Sequence, residues 1–281
     1  MTIEIVMPVR NPGEKLLESI ESLTAQADRD FGVLISDNFS TSGVEWIDSA
    51  VKQLTAAGIA ARVVRPPCEF GRVEHWNWAH SASEADWLKP LFVGDLLAPR
   101  YIEALRDRVA TRPGARVVRC EFDLRTRAGT QPAGRAPCAV DSLTPAQFLD
   151  HYPHRGNWIG GPVNIVYHRL AWQLGGGYLP QFPACADLQL YVAMILRHGI
   201  ELIREPLATF QLHTERFSHG IGRRSVNGCF ELWLILRHAR NYCLNAGLPW
   251  PHDAIRRALA LQVRLDYLHP IKQRVKDYFG A

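Results

Sequence analysis

The 281-residue sequence lacks most of the features that announce a function directly. No apolar run approaches the ~20 residues needed to span a bilayer, so a membrane-crossing helix is not expected. The opening MTIEIVMPVR has no basic-then-apolar secretion layout. The six cysteines (68, 120, 138, 185, 229 and 243) are scattered, without a CxxC pair. That spacing argues against a zinc site or disulfide framework and for reduced thiols in a cytoplasmic protein. Charge of one sign is scarce, the net being only +4. A nucleic-acid binder clusters far more basic charge, so no nucleic-acid partner is expected. With 47% hydrophobic and 21% charged residues, the composition excludes a disordered, collagenous or coiled-coil protein and suits one large domain or two packed halves. No GxGxxG follows a strand, and there is no GxxxxGK, HExxH or GxSxG. A dehydrogenase, a P-loop enzyme and an α/β-hydrolase all lose ground. Gly175-Gly176-Gly177 falls in an irregular stretch and reads as a bend.

What is present is an alternation of short apolar runs with amphipathic stretches. Strands are predicted at 3–8, 32–36, 59–64 and 87–93. Helices are predicted from residue 12 through Leu16, Leu17, Ile20 and Leu23; over 44–57 with Val44, Ile47, Val51 and Leu54 as the apolar face; over 73–81; and over 99–110. Asn11 is placed to cap the first helix, with Pro12 at its first position and Glu14 completing a capping-box-like arrangement. Strand–helix alternation predicts an α/β fold with a mostly parallel sheet. Ligands in such sheets bind beyond the carboxyl ends of the strands, which singles out Asn11, Asp37 and Asp95. Residues 125–137 read as an exposed loop or hairpin tip, and 157–162 and 175–183 as bends. A helix is expected near Asp187, burying Leu188, Tyr191 and Ile195. Beyond Gly228 the chain reads as helical, Ile255, Leu259, Val263 and Tyr267 sharing a face.

Three strand ends carry the functional signal: Met7-Pro8-Val9-Arg10-Asn11, Ser36-Asp37-Asn38-Phe39-Ser40 and Val93-Gly94-Asp95. Trp76-Asn77-Trp78 precedes the last of these. Asn157-Trp158-Ile159-Gly160-Gly161-Pro162, Ala186-Asp187-Leu188 and Phe210-Gln211-Leu212-His213 follow in order. The series resembles the inverting family 2 glycosyltransferases of the GT-A fold, over roughly residues 3–218. Two positions depart from that pattern: Gly94 stands where the first aspartate of the DXD motif falls, and Gln211 where the family has arginine.

The resemblance implies a GT-A sheet, Rossmann-like and flanked by helices. It places a nucleotide-sugar half at 1–97 and an acceptor half at 98–219, with a helical C-terminal extension over 220–281. It implies transfer of a monosaccharide, with inversion, from a UDP-, dTDP- or GDP-linked donor to a hydroxyl of a glycan, lipid-linked or secondary-metabolite acceptor. Pro8, Asn11, Asp37, Asn77 and Asp95 would bind the donor, and Trp158 the acceptor. Asp95 and His213 would hold Mg²⁺ or Mn²⁺, and Asp187 would be the general base. Each residue also has a structural reading. Asp37 could be a turn aspartate, Asp95 the cap of helix 99–110, and Asp187 the cap of its own helix. His213 could be an ordinary surface or core histidine, and Trp158 could be core. The C-terminal helices, apolar on one face and basic elsewhere, suit contact with an anionic membrane on its cytoplasmic side, a homodimer or solvent. Residues 216–224, with three arginines and two glycines, read as a mobile loop near the diphosphate. The main competing function is a non-catalytic nucleotide- or glycan-binding protein with a degraded aspartate motif. A sugar-nucleotidyltransferase would need a glycine-rich N-terminal loop that is absent, and a membrane-surface adaptor would ignore nucleotide.

Overall fold

Apolar residues on both faces of the first strands demand helices on both sides of the sheet, and the computed structural model shows that layering. It describes residues 1–136, 138–155, 157–212 and 226–263. In chain order the elements are β1 (Ile3–Val9), α1 (Lys15–Thr24), β2 (Gly32–Asp37), α2 (Val44–Ala56), β3 (Ala60–Val64), α3 (Arg72–Ser81), β4 (Trp87–Pro90), β5 (Leu96–Leu97) and α4 (Tyr101–Thr111). They continue with β6 (Val117–Thr126), β7 (Gly129–Ala133), β8 (Ser142–Leu143), α5 (Pro145–Arg155), a 3₁₀ turn (Pro162–Asn164), β9 (Ile165–His168), α6 (Arg169–Gly175), α7 (Ala186–His198), β10 (Ile200–Gln211), α8 (Val226–Asn245) and α9 (Ala254–Val263).

The sheet runs β3-β2-β1-β4-β9-β6-β10-β5. Its first four strands are all parallel, while β9 pairs antiparallel with both β4 and β6. Side chains alternate between two cores. Ile5, Met7, Val33 and Ile35 face α1, α2 and α4, against Leu16, Ile20, Leu23, Ile47, Leu54 and Leu105. Val6, Leu34 and Leu88 face the opposite side, where α3, α5, α7 and α8 contribute Val73, Phe148, Leu190 and Leu236. The α/β class and parallel core stand as expected, and β6 and β7 form the hairpin predicted around 125–137.

Several local readings change. Asn11 does not cap α1, whose N-cap is Glu14 without a side-chain bond. Val44 is 41% exposed, and Ala50 takes its place on the buried face of α2. The fourth strand ends at Pro90 rather than residue 93, because Gly94 turns the chain with φ +87°. Leu232, Ile235, Leu236 and Cys243 of α8 share a core with Phe148 of α5 and Met194 of α7. Phe230 on the outer side of α8 is 56% exposed and stacks on Trp233. The boundary at 219/220 lies outside the described residues, as do His213, Tyr267 and the loop 216–224. Among the described residues no helix is long and apolar enough to cross a membrane.

Candidate active site

The register of the parallel strands places the site. Val9 of β1 lies opposite Asp37 of β2, so both strands end level and their following residues emerge together. Pro8 is buried opposite Ser36, beyond the last pairing of β1 with β4, where a residue without an N–H is tolerated. Asn11 adopts φ +45°, a conformation Asn accepts more readily than most residues. Its side-chain oxygen accepts from the Thr41 N–H at 2.8 Å and the Ser42 N–H at 3.2 Å, and its own N–H donates to Ser40 Oγ at 2.8 Å. The loops after β1 and β2 are thereby stapled into one rim. Gly43 completes it: φ is +75°, and a Cβ would lie 1.9 Å from the Pro12 carbonyl oxygen.

Asp37 sits beneath this rim, with only 3% of its side chain exposed. It accepts from the Ser40 N–H at 2.9 Å and is covered by Arg65, whose guanidinium reaches it at 2.5 Å and lies over the Phe39 ring. Burial alone would raise its pKa. The bonds from Ser40 and Arg65 outweigh burial and hold it below the ordinary carboxylate value. Arg65 is half exposed. Behind Asp37, Ser36 Oγ lies 2.8 Å from His75 Nε2. Burial pushes His75 down to about 4, so it is neutral at physiological pH.

Asp95 is 1% exposed and follows the tight turn in which its N–H donates to the Phe92 carbonyl. The capping reading fails, since the N-cap of α4 is Arg100. Beside Asp95 lies Lys89, a fully buried amine whose Nζ donates to the carbonyls of Pro90, Pro162 and Val163 at 2.7–2.9 Å. Burial lowers the ammonium to about 7, against the opposing pull of Cys120 and Asp95. Three donors meeting three carbonyls is the arrangement of the protonated amine. The first aspartate of a DXD pair would fall on Gly94, whose left-handed backbone a non-glycine residue occupies only with strain. Among the described residues, no group of three or more His, Cys, Asp or Glu side chains could hold a metal. Asp95 is one hard oxygen donor beside an internal cation. These residues do not by themselves make a Mg²⁺ or Mn²⁺ site, and no chemical step is routed through a metal below.

Asp187 lies in the first turn of α7, whose N-cap is Cys185, so it is not the cap. Its Oδ1 accepts from the Leu188 N–H at 2.8 Å, and its Oδ2 faces Gly161, where a Cβ would stand 3.8 Å away. Burial raises its pKa above the ordinary value, opposed by the Leu188 N–H and the charge of Arg72. Lys89 grips Pro162 and Gly161 faces Asp187, so the 160–163 segment links the neighbourhoods of Asp95 and Asp187.

Two predicted residues have other tasks. Trp158 is 6% exposed, its ring beside Phe148 and the guanidinium of Arg119, so the structure places it among core side chains. Asn77 spends both ends of its amide on the backbone of Tyr178, donating to its carbonyl at 2.6 Å and accepting from its N–H at 2.8 Å. A donor contact would have to displace one of these bonds. A shallow depression of about 410 Å³ lies between α3 and α6, with Asn77 as its one predicted site residue.

Arg65, Arg72, Lys89 and Glu231 fall outside the motif series. Three carry a signal: Lys89 is a lone cation within an apolar strand, and Glu231 a lone acid among Phe230, Leu232 and Trp233. Arg72 opens a helix, where the dipole disfavours a cation.

No protein-family model matches the sequence, and no curated protein matches it. Solved structures do. TarS of S. aureus in complex with UDP-GlcNAc superposes with a TM-score of 0.72 at 14% identity, covering 94% of this chain and 73% of that one. Against the structure titled simply TarS the chain spans 45% of the length. Mannosyltransferase PcManGT from Pyrobaculum calidifontis, with GDP-Man and Mn²⁺, gives 0.59 at 14% identity, covering 94% and 69%. GalNAc-T7 with UDP, GalNAc and Mn²⁺ gives 0.60 at 11%, covering 92% and 53%. Helices on both faces of a β3-β2-β1-β4 parallel core, with polar strand ends gathered at one edge, make this a protein of the GT-A fold.

Proposed function

We propose that the protein is a glycosyltransferase that moves a monosaccharide from a nucleotide-sugar to an acceptor hydroxyl with inversion of the anomeric centre. One observation carries the reading. The polar residues after β1, β2 and β4 follow the carboxyl ends of the parallel strands, and the Gly160–Val163 segment runs between the neighbourhoods of Asp95 and Asp187. In an open α/β sheet ligands bind beyond those strand ends. Relatives in fold carry UDP, UDP-GlcNAc and GDP-Man, which supports a nucleoside-diphosphate donor here.

Asp37 would accept a hydrogen bond from the nucleobase once Arg65 swings aside, and the Asn11 rim would shape the slot above it. Asp187 would take the proton of the acceptor hydroxyl as its oxygen attacks the anomeric carbon and the nucleoside diphosphate departs. A carboxylate of raised proton affinity is the better base for that step. The transition state has oxocarbenium character, as in glycoside hydrolysis, with the acceptor oxygen in place of water. Mg²⁺ or Mn²⁺ arriving with the donor's diphosphate would engage Asp95.

Gly94 favours one other reading, a binding protein without turnover. The two separate in one experiment. Melting shifts are measured with UDP, dTDP, GDP and CDP, each with and without Mn²⁺, on wild type, Asp95→Ala and Asp187→Asn. Stabilisation by one diphosphate, retained in Asp187→Asn, identifies the donor site. Turnover of the matching nucleotide-sugar by wild type alone then establishes transfer, whereas no turnover in either form leaves the binding protein.

A further inference from the structure

The strand-end motifs do not account for what holds Asp187. Its approach segment is gripped from two distant parts of the chain. Arg72, at the start of α3, donates to the Pro183 carbonyl and lies over the Trp76 ring, 4.6 Å from its centroid. Glu231 of α8 is 5% exposed and accepts from the Ala184 N–H at 3.0 Å and the Cys185 N–H at 2.8 Å. Pro183, Ala184 and Cys185 are thus bonded in succession, and Asp187 follows two residues later. The two gripping groups are opposite charges, and Arg72 acts on both Glu231 and Asp187.

We propose that Arg72 and Glu231 form a clamp of two positioning residues that sets where the Asp187 carboxylate sits and how much of the Arg72 charge reaches it. The inference rests on the reading of Asp187 as general base. It gives α8, which lies beyond the motif series, a part in the reaction. Glu231 supplies the acceptors that the N-terminal N–H groups before α7 need, and it competes with Asp187 for one guanidinium. The other groups acting on Asp187 among the described residues are weakly acidic: Tyr152 of α5, Tyr178, Cys185 and Tyr191 of α7. None of them is charged at neutral pH, so Arg72 and Glu231 are the levers.

The test reads the titration of Asp187 itself by NMR of protein labelled with ¹³C at the aspartate carboxyl carbons, with Asp187→Asn assigning the resonance. Glu231→Gln keeps an acceptor but removes the competing charge, so Asp187 titrates at lower pH than in wild type. Arg72→Met removes the attracting charge, and Asp187 titrates at higher pH. Arg72→Lys keeps the charge and stays near wild type. Simple loosening of the segment would admit water and move both of the first two variants downward, so their opposite signs are the signature. With the matching donor, kcat falls about tenfold in Glu231→Gln while the donor KM holds, as expected of a misplaced base. Identical titration in all forms, or a downward shift in both Glu231→Gln and Arg72→Met, overturns the clamp. Transfer by Asp187→Asn at the wild-type rate would instead overturn the base assignment, leaving the clamp to the titration.

Discussion

The surroundings of Asp37 and of Asp187 are built differently. Around Asp37 the polar residues are organised by neighbours close in sequence or on the next strand. Asp37 is bound by Ser40, three residues on, and Asn11 bonds the loop of the adjacent strand. The segment just before Asp187 is bonded by an arginine more than a hundred residues earlier and by a glutamate on a helix that follows. Parallel strands with flush ends gather their following residues as a by-product of their register. A residue at the start of a helix in a mixed region is placed only when distant elements converge on it. The difference teaches that strand-end positions can be read from local pattern, whereas the surroundings of Asp187 cannot.

The sharpest way to break the comparison is Asp187→Asn. Transfer should fall by about 10²–10⁴, the usual worth of a positioned general base, with diphosphate binding intact by thermal shift. Because burial raises the pKa of Asp187, its penalty appears as pH rises through that value. The Asn variant should therefore melt higher than wild type at pH 7 but not at pH 3. Leu236→Ala comes next. It empties a fully buried position under α8 and should cost about 2–5 kcal/mol in denaturant unfolding. Ile20→Ala, fully buried beneath β1 and β2, should cost a similar amount, but Leu236→Ala alone should also slow transfer, through Glu231.

Acidification tests the packing of α3. Burial lowers His75 and His80 of α3 to about 4. Their contribution to stability is present above the unfolded histidine pKa of about 6.5 and is lost as pH falls from there towards 4. Unfolding free energy should drop by a few kcal/mol over that window, and His80→Phe should flatten the slope. The smallest effect belongs to the turn after β4. Gly94→Ala must hold an L residue at φ +87° and should lose about 1–2 kcal/mol without abolishing diphosphate binding. An unchanged melting temperature would mean the turn relaxes readily.

Much of the fold was legible in the sequence because it rests on short-range patterns. Short apolar runs and helical spacing located β1 to β3 and their helices within a few residues. The glycine- and proline-rich stretch 125–137 read as a loop or hairpin tip, and of these the structure shows the hairpin of β6 and β7. Boundaries failed where one backbone angle decides them: Gly94 ends β4 early, and Asn11 leaves α1 uncapped to serve the loop of β2. Asp37 and Asp95 were legible as strand-end carboxylates. Their cations were not, because Arg65 and Lys89 reach them from a neighbouring strand end and from within β4. Trp158 shows the limit plainly, since a tryptophan beside glycines reads alike whether it lines a groove or fills a core.

What the sequence determined by itself is therefore the layered α/β plan and the line of polar residues along the ends of the first strands, since both follow from local periodicity and parallel pairing. Only the tertiary structure decided that Asp37 lies sealed under Arg65 and that Asp95 shares its surroundings with a buried ammonium. It also decided that the segment leading to Asp187 is bonded by both Arg72 and Glu231. Those facts depend on charges and hydrogen bonds between segments far apart in the chain, where direction and burial count and spacing in sequence carries no information.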